Sequence, residues 1–264
     1  SSAAWVDNFS RTSAPADQKD GSRYTAALTA STFRNWKTGV VTSAEVAAML
    51  EHVPDFTRAG AFTSGVLLGA RRKFGLGAFA PALDLSAGAS YRDARHPSAA
   101  GWSTTAGARL SKRLSRAWRV AALADWHNHA ARHTTFDTRH HRVSGTVSWD
   151  VTNRWQLSYG AGRLQGNFTA NAAPVTWARA LAGDFGSAVA NYYNTVARER
   201  TEIFGPGWVS YRVDGRAHQQ WLELSPALGR NTSLPLRLER IDATNIIGVK
   251  YRQELATLTL LHRF

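Results

Sequence analysis

The chain has 264 residues, 32 of them Lys or Arg and 19 Asp or Glu, for a formal charge of +13, with 44% hydrophobic residues, ten Trp and no Cys. The missing cysteine excludes disulfide frameworks, thiolate nucleophiles and Cys-ligated zinc, and no apolar run nears the roughly 18 residues of a helical membrane span. The chain starts at Ser1 with neither Met nor an apolar leader, which reads as a processed or trimmed start with room for a further segment upstream.

From the N-terminus onward the pattern is period-two alternation, which sends successive side chains to opposite faces of a strand. It predicts strands at about 3–12, 22–34, 40–51 and 58–71. At 80–91 Leu83, Leu85, Ala87, Ala89 and Tyr91 alternate with Asp84, Ser86, Gly88, Ser90 and Arg92. At 101–111 Trp102, Thr104, Ala106, Ala108 and Leu110 alternate with Ser103, Thr105, Gly107, Arg109 and Ser111. Strands at 117–127, 142–151, 155–165, 188–203, 207–214, 217–228, 233–242 and 248–264 complete a set of fourteen, or twelve if 3–12 and 188–203 are dropped. Short connections (Arg72 to Phe79, Ser111 to Ala117, Thr152 to Arg154, Phe204 to Gly207, Gly229 to Ser233) alternate with longer ones. The longer set runs His52 to Arg58, Arg92 to Gly101, His127 to His141, Gln165 to Ser187 and Arg240 to Ile247. Asp214-Gly215 reads as a tight hairpin on the long-loop side.

An antiparallel meander this long leaves two unpaired edges unless it closes, and edges in lipid have no water to satisfy them. The expected fold is therefore all-β: one closed, up-and-down, antiparallel transmembrane barrel over residues 1–264. A soluble sandwich alternates identically, but its strands are usually shorter than several of these. Trp102, Trp118, Trp126, Trp149, Trp155, Trp208, Tyr24, Tyr91 and Tyr211 fall near strand ends on the apolar parity, as in an aromatic girdle.

The chain closes Leu258-Thr259-Leu260-Leu261-His262-Arg263-Phe264. A terminal Phe on an amphipathic last strand resembles the C-terminal signature of bacterial outer-membrane β-barrels, porin-like proteins of Gram-negative cells. His262 stands where that pattern more usually has an apolar residue. The resemblance implies an outer-membrane location, recognition of Phe264 by the barrel-assembly machinery, periplasmic termini and short turns, and extracellular long loops. Val249, Tyr251 and Leu255 lie on the opposite parity to Leu258 and Leu260, which suggests a β-bulge near Gln253-Glu254.

Sorted by parity, the inward cations are Arg23, Arg71, Arg92, Arg109, Arg119, Arg142, Arg212, Arg237, Lys250 and Arg252. The inward acids are Glu45, Glu51, Asp84, Asp125, Asp150, Asp214, Glu223, Glu239 and Glu254, so the lumen is close to neutral. Such charges either brace the wall as cross-strand pairs or set a field across a wet pore. The surplus cations collect in turns and loops, where lipopolysaccharide phosphates, anionic headgroups or an acidic partner would be attracted. No nucleic-acid-binding motif is present.

His127, His129, His133, His140 and His141 gather in one stretch, a residue type that binds zinc, copper or nickel; their spacing matches no rigid motif, and a polar loop is the plainer reading. His127, Ser148 and Asp125 or Asp150 can be drawn as a hydrolase triad, without a G-x-S-x-G elbow to support it. The segment Gln165 to Ser187, with Trp177, Arg179, Asp184 and Phe185, is a candidate constriction or lid, and Arg179 and Asp184 would gate it if it folds inward. The expected function is a non-enzymatic channel passing small polar or anionic solutes by diffusion, with no cofactor. Its field would be set by Arg109, Arg119, Arg142, Arg212 and Arg237 against Asp125, Asp150, Glu223 and Glu239. The alternative is a partner-filled barrel in an export or electron-transfer assembly, with a periplasmic or lumen-filling protein partner.

Overall fold

The computed structural model describes residues 1–264. The first half alternates strictly: β1 (Ser2–Val6), β2 (Gly21–Asn35), β3 (Val40–His52), β4 (Ala61–Lys73), β5 (Ala82–Ala94), β6 (Gly101–Arg113), β7 (Trp118–Ala131), β8 (Thr138–Asp150) and β9 (Trp155–Ala172). Two helices follow, α1 (Pro174–Ala182) and α2 (Ser187–Thr195), then β10 (Arg198–Arg200), β11 (Val209–Pro226), β12 (Thr232–Ser233), β13 (Leu236–Asn245), β14 (Lys250–Thr259) and β15 (Leu261–His262). Strand β11 pairs with both β9 and β13, and β14 closes onto β1, so twelve antiparallel strands form a ring without a free edge. Strand β10 lies outside that ring, along the long-loop end of β11. We call this end upper and the short-turn end lower.

The ring has twelve strands and not fourteen for two local reasons. Asp214 and Gly215 sit mid-strand opposite Asn167 and Gly166; Gly215 has no positive φ, which the two-residue hairpin would require. The predicted strands 207–214 and 217–228 are thus one. The first half of the segment 188–203 is α2, whose Val189, Tyr192 and Tyr193, with Val196 at its C-cap, follow the i, i+3, i+4, i+7 spacing of a helix face and pack on an apolar core. Phe204 to Gly207 belongs to this upper excursion and is no lower turn.

The strands are strongly staggered. Paired residues of one face can be followed from Arg34 at the lower end of β2 through Thr42, Ala70, Leu85, Ala108, Ala124 and Val143 to Arg163. The line continues to His218, Asp242 and Arg252, near the upper end of β14. A line perpendicular to the strands therefore climbs from one rim to the other, as barrel closure requires. It is charged at both ends and uncharged between: it enters an apolar belt at one interface and leaves it at the other. Aromatic side chains mark both borders. Trp118 and Trp149 stack at 5.7 Å at the lower rim, and Tyr91 and Trp102 meet edge-on at 5.4 Å at the upper. Trp208 and Tyr211 are no part of the girdle; both are buried at the upper end.

Strand β14 carries no bulge, since its pairing with β13 runs unbroken from Lys250 to Leu258. Tyr251 and Leu255 face inward and Lys250, Arg252 and Glu254 outward, the reverse of the sequence-based assignment for these three. Above the belt the outer face meets water and the inner face meets the apolar core, so the usual parity is exchanged. All of the largest fully buried side chains, Asn8, Ser10, Thr12, Val53, Thr135, Thr201 and Ser210, lie at the upper end.

Candidate functional site: the lumen and its lid

The inner face below the mouth is built from charged, hydroxyl and glycine positions. Asp125 and Arg142 are directly opposed on β7 and β8 and form an ion pair at 2.9 Å. Asp150 receives Arg113 Nη2 at 2.8 Å and Gln156 Nε2 at 2.6 Å. Arg237 reaches Glu239 at 2.7 Å and lies 4.7 Å over the Trp221 ring. Glu223 faces Arg237 across the strands and accepts from Ser225 Oγ at 3.0 Å. Gly160 is required under Trp221, since a Cβ there would stand 2.1 Å from the indole. Arg23, Arg109 and Arg119 also face inward, and no carboxylate lies within ion-pair distance of them. They are unpaired cations of the wall, set against the inward carboxylates Glu45 and Glu223, which also lack an ion pair.

Residues 173–208 cross the upper mouth as a lid. The upper halves of β9 and β11 turn away from their neighbours at Gly166 and Gly215, where a Cβ would stand 2.2 Å from the Arg139 carbonyl and 2.5 Å from that of Thr244. Beyond them, Trp177 of α1 packs between Tyr193 and Tyr211, with ring centroids 5.2 and 5.1 Å away. Burial pushes the Tyr193 phenol above its ordinary pKa. The lid is anchored to four loops. Thr176 Oγ1 donates to the Asp17 carboxylate, and Arg58 Nη1 donates to Thr201 O at 3.2 Å and faces Glu202 at 3.5 Å. Ser98 Oγ donates to Glu199 at 2.6 Å, while His96 and His133 each stand 3.4 Å from that carboxylate. In strand order the β3–β4 connection, which carries Arg58, is across the ring from the β9–β11 pair, so these contacts span the opening. Phe9, Phe56 and Phe204 close the seam, with Phe56 and Phe204 4.8 Å apart.

Beneath the lid is a cavity of about 520 Å³ with Arg11, Arg23, Arg58, Arg92, His127 and His129 on its walls and Glu51 as its carboxylate. Arg92 faces Glu51 at 3.7 Å; Arg58 is held by Glu202, which leaves Arg11 and Arg23 as free cations.

Several sequence-predicted residues fall elsewhere. Arg212 leaves the wall: it donates to Thr134 O at 3.1 Å and faces Asp137 at 3.8 Å on the β7–β8 loop. Arg179 and Asp184 pair with each other at 3.3 Å on the exposed end of α1, beside Phe185, so they do not face the lumen as a gate. The five histidines disperse: His127 and His140 stack at 5.0 Å, His133 accepts from Thr135 N, and His141 faces outward. No three ligating side chains converge. The paper triad also comes apart, because Ser148 bonds Ser158 near the lower end whereas His127 faces His140. Positions 140 and 148 of β8 are roughly 27 Å apart along the strand. A different pair does form. His129 Nε2 donates to Ala99 O at 3.1 Å, which leaves Nδ1 to accept from Ser103 Oγ at 2.8 Å, with both side chains buried. Glu199 and Ser98, which anchor the lid together with Arg58, were not singled out from sequence; the helical spacing in 189–196 was the signal that would have freed Glu199 from a wall strand.

No protein-family model and no curated protein matches the chain. Solved structures do: an outer-membrane channel from Pseudomonas putida F1 matches at 10% identity over 98% of this chain and 93% of that one, with a TM-score of 0.56. The KdgM porin in complex with disordered oligogalacturonate matches at 9% identity over 100% and 99%, with a TM-score of 0.46. Outer-membrane phospholipase A from Escherichia coli matches at 8% identity over 99% and 91%, with a TM-score of 0.49. The chain thus has the fold of the bacterial outer-membrane β-barrels.

Proposed function

We propose that this barrel is an outer-membrane channel that passes small polar solutes by diffusion, with a preference for anions, and that residues 173–208 are its gate. The observation that carries the reading is the pair of free cations, Arg11 and Arg23, in the cavity under the lid, continued down the wall by unpaired Arg109 and Arg119. Against the unpaired Glu45 and Glu223 these four cations leave a positive surplus, and a wet bore with low-dielectric walls and such a surplus concentrates the opposite ion. Conduction is passive, with no residue in a chemical role. The lid makes the mouth the narrow point.

Planar-bilayer recording on the purified, refolded protein tests this. Stepwise conductance with an anion-selective reversal potential under a salt gradient is expected. Silence in a folded, heat-modifiable barrel whose lid has been cleaved by protease refutes the channel.

A further inference from the structure

The outer surface holds a second feature, unrelated to conduction. Where β9 and β11 turn at Gly166 and Gly215, the outside of the wall becomes concave, and a cavity of about 620 Å³ opens there between Arg163, Gln165, Asp214 and Arg216. Its height is set by the pairing line described above: the line leaves the apolar belt between Val143 and Arg163. Arg163 therefore stands at the upper border of the belt, where headgroups begin, and Arg216 two residues above its partner His218 on β11.

Neither guanidinium is spoken for. Arg163 and Arg216 have no carboxylate within ion-pair distance and no hydrogen bond to the protein, whereas the neighbouring Arg240 and Arg252 are both engaged by Asp242 at 2.9 Å. Asp214 offsets one charge at the upper edge and leaves the cavity net positive. Below it the same outer face forms a groove of about 400 Å³, whose upper edge carries Gln220, Arg240 and Glu254 and whose lower part is lined by Trp5, Tyr159, Leu222 and Leu238, residues between 46 and 52% exposed. A cationic cradle at headgroup height above an apolar groove matches a molecule with an anionic head and a hydrocarbon tail.

We propose that this outer face binds a phosphorylated glycolipid of the outer leaflet, its phosphate between Arg163 and Arg216 and one acyl chain in the groove beneath. Two arginines can offer a phosphate several charge-assisted hydrogen bonds at once. The groove supplies the contact that distinguishes a lipid from a free anion.

The barrel is reconstituted with diphosphorylated lipid A, with the dephosphorylated lipid, or with neither, then washed in delipidating detergent and weighed by native mass spectrometry. One retained diphosphorylated lipid per barrel is expected, with roughly 30-fold lower retention in R163Q/R216Q and unchanged retention in R252Q, whose arginine lines neither cavity and is already held by Asp242. Equal retention in R163Q/R216Q, or equal retention of the dephosphorylated lipid by the unaltered protein, overturns the proposal. So does displacement of the lipid by millimolar inorganic phosphate, which would mark a free-anion site. The dephosphorylated-lipid arm needs no variant to fold. Conductance of R163Q/R216Q is expected to equal that of the unaltered protein, so the channel reading stands or falls separately.

Discussion

Replacing Glu199 should open the lid. Its carboxylate is the one acceptor that ties β10 to the β5–β6 and β7–β8 loops, taking Ser98 Oγ at 2.6 Å and facing His96 and His133 at 3.4 Å. The side chain is 23% exposed, so the Ser98 bond is a charge-assisted one in a partly dry site, worth about 1.5–3 kcal/mol. The histidine contacts are longer than hydrogen bonds, and that of His133, 45% exposed, adds little after screening. The remaining anchors, Arg58 to Thr201 and the Phe9, Phe56 and Phe204 cluster, stay in place, so Glu199→Ala loosens one edge. An equilibrium shift on the order of 10- to 100-fold toward the open lid follows. Glu199→Gln, which keeps an acceptor for Ser98 but loses the charge, should fall between. Single-channel recording reads this as shorter closed times, and limited proteolysis as faster cleavage within 173–208. Unchanged closed times and cleavage in a folded Glu199→Ala barrel would refute the gate.

Glutamate in place of Arg23, Arg109 or Arg119 should move the reversal potential toward cation preference, and Arg142→Gln should move it the same way by freeing Asp125. Equal potentials in all four would show that the wall does not set selectivity. Gly160→Val forces Trp221 off its strand and should cost about 1–3 kcal/mol, read as a lower heat-modification temperature and altered Trp fluorescence; a neutral result would contradict the packing. Ser103→Ala strands His129 Nδ1 and should cost about 1 kcal/mol. No fluorophosphonate labelling of the unaltered protein is expected, and a label lost in Ser103→Ala would turn the reading toward acyl transfer. Removing Phe264, whose side chain is 99% exposed, should leave the folded barrel's melting temperature unchanged while lowering its assembly in cells. A drop in melting temperature would instead assign the ring a packing role.

The wall was legible because the belt imposes one rule on β2 to β8: apolar outside, polar inside, period two. Asp125 opposite Arg142 and the inward Arg109 and Arg119 follow from that rule alone. It lapsed where its cause lapses. Above the belt Arg252 and Glu254 meet water on the outer face while Tyr251 packs on Phe168 inside, so parity judged by polarity inverted there. Asp214-Gly215 carries a hairpin's composition, yet the glycine serves close approach to Thr244. Local residue chemistry cannot distinguish the two uses. The latch at Glu199 joins residues about a hundred positions apart in the chain and leaves no local trace.

Because the fully buried side chains are confined to the lid end, the two halves of this molecule answer to different solvents. The lid end is a small water-folded core, held by the exclusion of apolar and hydrogen-bonded groups from water, and urea acts on it as on any soluble domain. The girdled wall is held by closure and by lipid, and responds to bilayer thickness and detergent chain length. Unfolding is therefore expected to separate into two transitions that can be moved independently, one by denaturant and one by the amphiphile around the barrel.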